Sequence, residues 1–216
     1  MLTDLGHPRS TIYGVLRRHG HSRLSDFDRP SGKAIRYERR RPGELIHIDT
    51  KKLGRVPAGG GHRITGDKRF RGRGNGNDFL HVAIDDHSRY AFVEVHPDEK
   101  GVTAAGFLIR AAAHFEAMGI TVQRVMSDNA RAYTDSVAFH TAMAEIGAKH
   151  IRIRPYRPQT NGKAERFIQT MLREWAYVRL YRSNGARLRA LPHWVRRYNL
   201  IRPHTALGSR PPASRV

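Results

Sequence analysis

Five short apolar runs lie between residues 45 and 154: LIHID (45–49), FLHVAID (79–85), YAFVEV (90–95), ITVQRVM (120–126) and HIRIR (150–154). Their length and their share of Val, Ile and aromatic residues suit strands. DHSR joins the second run to the third as a short hairpin turn. Helical patterns fill the spaces that follow. GVTAAGFLIRAAAHFEAM (101–118) is Ala-rich and amphipathic and is stopped by Gly119, and residues 134–146 form another helical stretch stopped by Gly147. From Ala164 through Phe167, Ile168, Met171, Leu172 and Trp175 to Val178, apolar residues recur at helical spacing. That spacing predicts the longest helix of the chain, with a further helix over 186–200. Three strands in a meander followed by alternating helices and strands predict an α/β fold, a mixed five-stranded sheet flanked by helices.

Charge limits what such a fold can do. Lys and Arg number 39 against 19 Asp and Glu, a formal net charge of +20 in 216 residues. A folded chain this basic repels itself unless it meets a polyanion, and nucleic acid is the usual one. The basic residues are spread along the chain, not gathered on one amphipathic helix, which argues against a membrane-surface role. No run of about 18 apolar residues occurs, and MLTDLGHPRS lacks the layout of a secretion signal. Cysteine is absent. Disulfides, thiolate zinc sites and cysteine nucleophiles are therefore excluded, and a reducing cytoplasm suits the chain. Near the front, RSTIYGVLRRH (9–19) reads as a helix capped by Ser10 and stopped by Gly20, followed by an Arg-rich linker. Residues 54–78 read as a long basic loop. With Lys51, Lys52, Arg63, Lys68, Arg69, Arg71 and Arg73 it is expected to clamp DNA.

So basic a chain keeps few acids, and their placement is informative. Asp49 closes the first predicted strand, Asp128 closes the fourth, and Glu165 lies in the first turn of the long helix. Strand ends and a helix start can share one rim of such a sheet. Two carboxylates about 4 Å apart repel by roughly 4 kcal/mol at an effective dielectric near 20, so three together call for a cation. Hard oxygen donors without Cys favour Mg²⁺ or Mn²⁺. Paired ions of that kind clamp the attacking and leaving oxygens of an in-line displacement at phosphorus. Arg152, Arg154, Arg157, Lys163 and Arg166 surround Glu165 and are expected on DNA phosphates. Each acid also has a plain structural reading. Asp128-Asn129 suits a turn. Glu165 suits the positive end of a helix. Asp49 can pair with Lys51 or Lys52. Asp85 and Asp86 read as a hairpin turn with a salt bridge to Arg89. His47, Trp175 and Trp194 read as packing residues.

Several blocks carry a resemblance: PGELIHIDTKKLG (42–54), HVAIDDHSRYAFVEV (81–95), VMSDNARAY (125–133), RPYRPQTNGKAERFIQTMLREWAY (154–177) and YNLIRPHTALGSRPPASR (198–215). With them the chain resembles the integrase core of insertion-sequence transposases and retroviral integrases, most closely the IS481 transposases. TNGKAERF with an upstream Asp-Asn is its most specific block, and Glu165 follows Asp128 by 37 positions, close to the family's spacing. The resemblance implies a ribonuclease H-like fold and an acidic triad of Asp49, Asp128 and Glu165. It also implies cleavage at DNA ends by water, then attack of the freed 3′-hydroxyl on target DNA. The expected cofactor is Mg²⁺ or Mn²⁺, and the expected partners are double-stranded DNA and further copies of the chain on it, at the nucleoid. Asn129 would help to place a metal-bound water, and Asn161 and Gly162 would form the turn that starts the catalytic helix.

Two departures stand out. Ala130 occupies the place where the family usually has Gly. Only STIYGVLRRHGHSRL resembles the last helix of the DNA-binding unit that precedes the core in longer relatives. The expected organisation is a helix-turn-helix remnant (1–24), a basic linker (25–44), the catalytic core (45–182) and a C-terminal helix with a basic tail (183–216). The alternative expectation is a truncated, catalytically inactive copy that binds DNA and competes or associates with full-length transposase.

Overall fold

A computed structural model describes residues 7–19, 38–66, 75–153 and 161–216. By internal contacts the chain forms two units, Met1–Glu38 and Arg39–Val216. In the first, helix α1 (Arg9–Arg18) follows Pro8 as its N-cap; Ser10, the expected cap, lies inside the helix. Gly20 and most of the expected linker lie outside the described residues.

The second unit is built on the sheet. β1 (Ile46–Gly54), β2 (Asn77–Asp85), β3 (Ala91–His96), β4 (Arg124–Ser127) and β5 (Lys149–Arg152) lie in the order β3-β2-β1-β4-β5. β1, β2 and β3 form an antiparallel meander, while β4 and β5 run parallel to β1. The expected mixed five-stranded sheet is the one observed.

Alternation along the strands feeds two cores. Ile46 and Ile48 of β1, Ala83 of β2 and Val125 of β4 pack with Phe107, Leu108 and Phe115 of α3 (Gly101–Ala117) and Phe139 of α5 (Val137–Glu145). Leu53, Leu80, Val82 and Ile84 point to the other face. There they meet α6 (Gly162–Met171) and α7 (Asn184–Leu200) through Phe167, Ile168, Leu191 and Trp194. Helices therefore cover both faces. The odd-numbered positions of β1 look toward α6, and this parity decides what Asp49 can reach. Two further short helices are α2 (His62–Thr65) and α4 (Arg131–Thr134).

Three expectations need correcting. β1 does not close at Asp49 but runs on to Gly54, because β2 pairs with it along its whole length. Of ITVQRVM only the end is strand; Ile120 and Val122 fill the core ahead of the ladder. The stretch from Ala164 is not the longest helix. α3 and α7 each have 17 residues, whereas α6 has 10 and widens into a π-helical turn at Leu172–Ala176. In that turn the buried Trp175 donates from Nε1 to the Arg187 carbonyl at 2.9 Å. Within 183–216, Leu191, Trp194 and Tyr198 of α7 belong to the second core. Among the described residues no helix is long and apolar enough to cross a membrane.

The approach to the sheet is fixed by Gly43. It sits at φ +80°, where a Cβ would stand 2.1 Å from the Thr121 carbonyl oxygen, so only glycine fits without rearrangement.

Candidate active site

Where the sheet changes from antiparallel to parallel, the ladder between β1 and β4 is short: only Ile46↔Val125 and His47↔Met126 are paired. Continuing that register by two residues sets Asp49 level with Asp128, just past the end of β4. Neighbouring strands lie about 4.8 Å apart, and the pleat turns Asp49 to the α6 face. Asp49 is half-buried and accepts from the Thr50 N–H at 2.8 Å through Oδ1. Asp128 accepts from the Ala130 N–H at 2.9 Å, also through Oδ1. Glu165 is exposed in the first turn of α6.

Asp49 feels the other two acids. The Asp49 carboxyl is raised to about 6: burial is the main cause, the Thr50 N–H opposes it, and the charges of Asp128 and Glu165 add to it against the nearby Lys51. The structure thus brings the three into one electrostatic neighbourhood. It does not draw them into a finished ion cage: among the described residues no three His, Cys, Asp or Glu side chains are grouped to hold a metal ion. The chemistry of the donors nevertheless suits a hard divalent cation. Asp49 and Asp128 each spend one carboxylate oxygen on a backbone N–H, and all the donors at this rim are oxygens.

The supporting residues divide. Ala130 has φ −63° and ψ 141°, ordinary extended backbone, so the methyl group in place of the usual glycine costs no conformational strain. Asn129 gives its amide to the Ile153 carbonyl at 3.2 Å, tying the end of β4 to the strand beside it rather than facing the rim. Asn161 is the first residue of the α6 start, as expected, but its side chain is buried and turned toward β1. Gly162 opens the helix. Thr50 Oγ1 meets the Tyr133 hydroxyl at 2.9 Å, which braces α4 against β1 beside Asp49.

Of the residues expected on phosphate, Arg152 and Arg166 are exposed, as is Lys52, whose ammonium lies 5.7 Å from the Phe79 ring centre. Lys51 is half-buried. Lys163 departs from expectation: its ammonium pairs with the Asp86 carboxylate and also donates to the Asp86 carbonyl at 3.3 Å. Arg154, Arg157, Lys68, Arg69, Arg71 and Arg73 lie outside the described residues.

Asp85 makes the expected turn, accepting from the Ser88 N–H, the Ser88 hydroxyl and the Gly43 N–H. Asp86, expected to join that turn with Arg89, instead faces His47 and Lys163. Burial pushes its carboxyl up, but bonds from His47, Lys163 and the Arg39 N–H outweigh that and hold it well below the usual carboxylate range. The sequence signal for this contact was slight. His47 lies two residues before Asp49 and so shares its face, but nothing in the sequence pairs it with residues 39 and 114 positions away.

A mixed sheet ordered β3-β2-β1-β4-β5 with helices on both faces is the ribonuclease H-like class of fold. An integrase core domain model matches residues 39–158, and a second integrase core model matches residues 146–212. The chain belongs to the integrase core domain family. It is similar to a 39.2 kDa protein of insertion element IS476 from Xanthomonas euvesicatoria, at 24% identity over 210 residues, covering 91% of this chain and 60% of that one. It is also similar to a protein of insertion element IS136 from Agrobacterium fabrum, at 30% identity over 87 residues, covering 38% of this chain and 42% of that one. The chain thus spans about 42% to 60% of the length of these relatives. Among solved structures, a chain of the simian T-cell lymphotropic virus intasome bound to PP2A regulatory subunit B56 gamma superposes with TM-score 0.61 at 19% identity, covering 99% of this chain and 68% of that one. The catalytic core domain of BIV integrase superposes with TM-score 0.53 at 17% identity, covering 80% of this chain and 92% of that one.

Proposed function

We propose that this chain is the catalytic core of an insertion-sequence transposase, cutting DNA ends and joining them to target DNA at Asp49, Asp128 and Glu165. One observation carries the reading. In a chain of the integrase core family, the β1–β4 register sets the half-buried Asp49 level with Asp128, and burial with the charges of Asp128 and Glu165 raises its carboxyl to about 6. A protein surface this basic gains nothing in stability from grouping three of its few acids. A divalent cation and a phosphate account for the grouping.

In this reading Asp49, Asp128 and Glu165 would hold Mg²⁺ or Mn²⁺. Bound there, the ions would activate the attacking oxygen and neutralise charge on the phosphorus and the leaving oxygen. The chain's own residues do the positioning. The two backbone N–H donors fix the carboxylates of Asp49 and Asp128, and Tyr133 braces the wall beside them. Lys51, Lys52, Arg152 and Arg166, with Arg154 and Arg157, supply phosphate contacts that set the register of the duplex. Lys163 is withdrawn from that role by its bond to Asp86. Double-stranded DNA is the substrate, with several copies of the chain acting on paired ends. The subfamily reading is IS481, resting on the TNGKAERF block and the upstream Asp-Asn.

Purified protein is expected to nick or join short element-end duplexes only with Mg²⁺ or Mn²⁺. Glu165→Gln should keep DNA affinity and the fold and lose at least about 100-fold in cleavage rate, the scale of removing one group that stabilises transition-state charge. Normal cleavage by that variant would remove Glu165 from the triad. The second reading, an inactive DNA-binding copy, draws on the absence of an assembled ion-holding group among the described residues. Tight, salt-sensitive DNA binding with no cleavage under either ion would select it.

A further inference from the structure

A helix normally spends its cap side chain on its own first turn. Asn161 does not. It is 2% exposed and makes no capping bond. Its Nδ2 donates to the Ile48 carbonyl at 3.2 Å, which leaves Oδ1 as the acceptor facing His47 Nδ1 at 3.1 Å. The other nitrogen of that ring, Nε2, lies 2.7 Å from Asp86 Oδ1. Both nitrogens of the fully buried imidazole thus face acceptor oxygens. Asp86, also fully buried, takes further bonds from Lys163 Nζ and from the Arg39 N–H at 2.6 Å.

The placement of this chain of bonds is specific. His47 and Ile48 are the two residues before Asp49, and Asn161 lies about one helical turn before Glu165. Lys163, the second cation on Asp86, lies two residues before Glu165. The bonds therefore join the strand carrying one carboxylate to the helix start carrying another, with the β2–β3 turn as anchor. Ala164, Phe167 and Ile168 hold the body of α6 against the sheet. Apolar contact is non-directional, however, and tolerates sliding in a way that a string of buried hydrogen bonds does not. Apolar residues of the same volume would hold the helix about as firmly, so what the polar string adds is register.

We infer that Asn161, held by His47 and Asp86, is a positioning residue that locks the first turn of α6 against β1 so that Glu165 stands beside Asp49. The inference rests on the site reading above. It is tested by a double-mutant cycle on the whole chain, read as Mn²⁺ affinity by titration, with circular dichroism confirming the fold. Asn161→Ala should weaken Mn²⁺ binding by about 10- to 100-fold, the usual cost of losing a group that orients a metal ligand. Made in the E165Q background, the same change should cost less than about 2-fold, because its effect passes through Glu165. Equal losses in both backgrounds would mean a general structural role and overturn the inference, as would no loss in either. A wild-type chain that binds no Mn²⁺, or that loses nothing on E165Q, would overturn the site reading and the inference with it. Normal wild-type binding untouched by Asn161→Ala would overturn the inference alone. Should Asn161→Ala fail to fold, His47→Gln enters the same cycle under the same criteria. It keeps one donor and one acceptor on the string and should show an intermediate loss.

Discussion

Asp49 is the residue where burial and charge oppose one another. Its carboxyl is raised from 3.8 to about 6 by burial and by the two neighbouring acids. In the ion-free protein, stability tied to its protonated form is complete below the unfolded-chain value and is lost as pH rises through about 6. Asp49→Asn carries no charge at any pH. In chelator, it should therefore be more stable than wild type near neutral pH, by up to about 3 kcal/mol, and the gain should vanish below about pH 4. Urea unfolding of both proteins at the two pH values measures this, and equal neutral-pH stabilities would refute the shared-charge picture. Sequence pattern alone picked out Asp49, Asp128 and Glu165, because acids at strand ends and helix starts are conspicuous in a basic chain. It gave Lys163 to DNA because a lysine beside Glu165 shows its charge but not its partner.

At the scale of elements, the outer edge of β3 is closed by a side chain. Asn199 of α7 accepts from the Ala91 N–H at 2.9 Å and donates to the Ala91 carbonyl at 2.8 Å, imitating a neighbouring strand. The site is buried, so Asn199→Ala would leave one donor and one acceptor without partners. A loss of about 1–3 kcal/mol is expected in denaturant unfolding, with activity at permissive temperature kept. A change within about 0.5 kcal/mol would mean that the edge is satisfied in another way. Element types were legible from hydrophobic period, but element ends were not. β1 outran its apolar run because β2 offered partners as far as Gly54, and the helix from Gly162 widened at Leu172. Both outcomes depend on neighbours distant in sequence.

Taken whole, the molecule is a polycation. The formal charge of +20 predicts DNA binding dominated by counterion release. With about six to ten phosphate contacts, affinity should fall by about 10³ to 10⁵ between 50 and 200 mM salt, as fluorescence anisotropy on a labelled duplex would record. A flat salt response would detach the charge from nucleic-acid binding. Arg39–Val216 holds both integrase core matches and the whole acidic rim, so this test and the cleavage assay address one unit of the fold.

By itself the sequence determined the class of fold and the order of its elements, and it singled out the three acids and a polyanionic partner as the proposals to test. These follow from periodicity, charge and local motifs, which nearby residues encode. Only the tertiary structure decided that the β1–β4 register sets Asp49 level with Asp128, that Lys163 bonds to Asp86, and that His47, Asp86 and Asn161 form one buried string. Those facts depend on strand register and on hydrogen bonds between residues 39 to 114 positions apart. Buried polar groups must find partners wherever the fold brings them, and no local pattern states which partner that is.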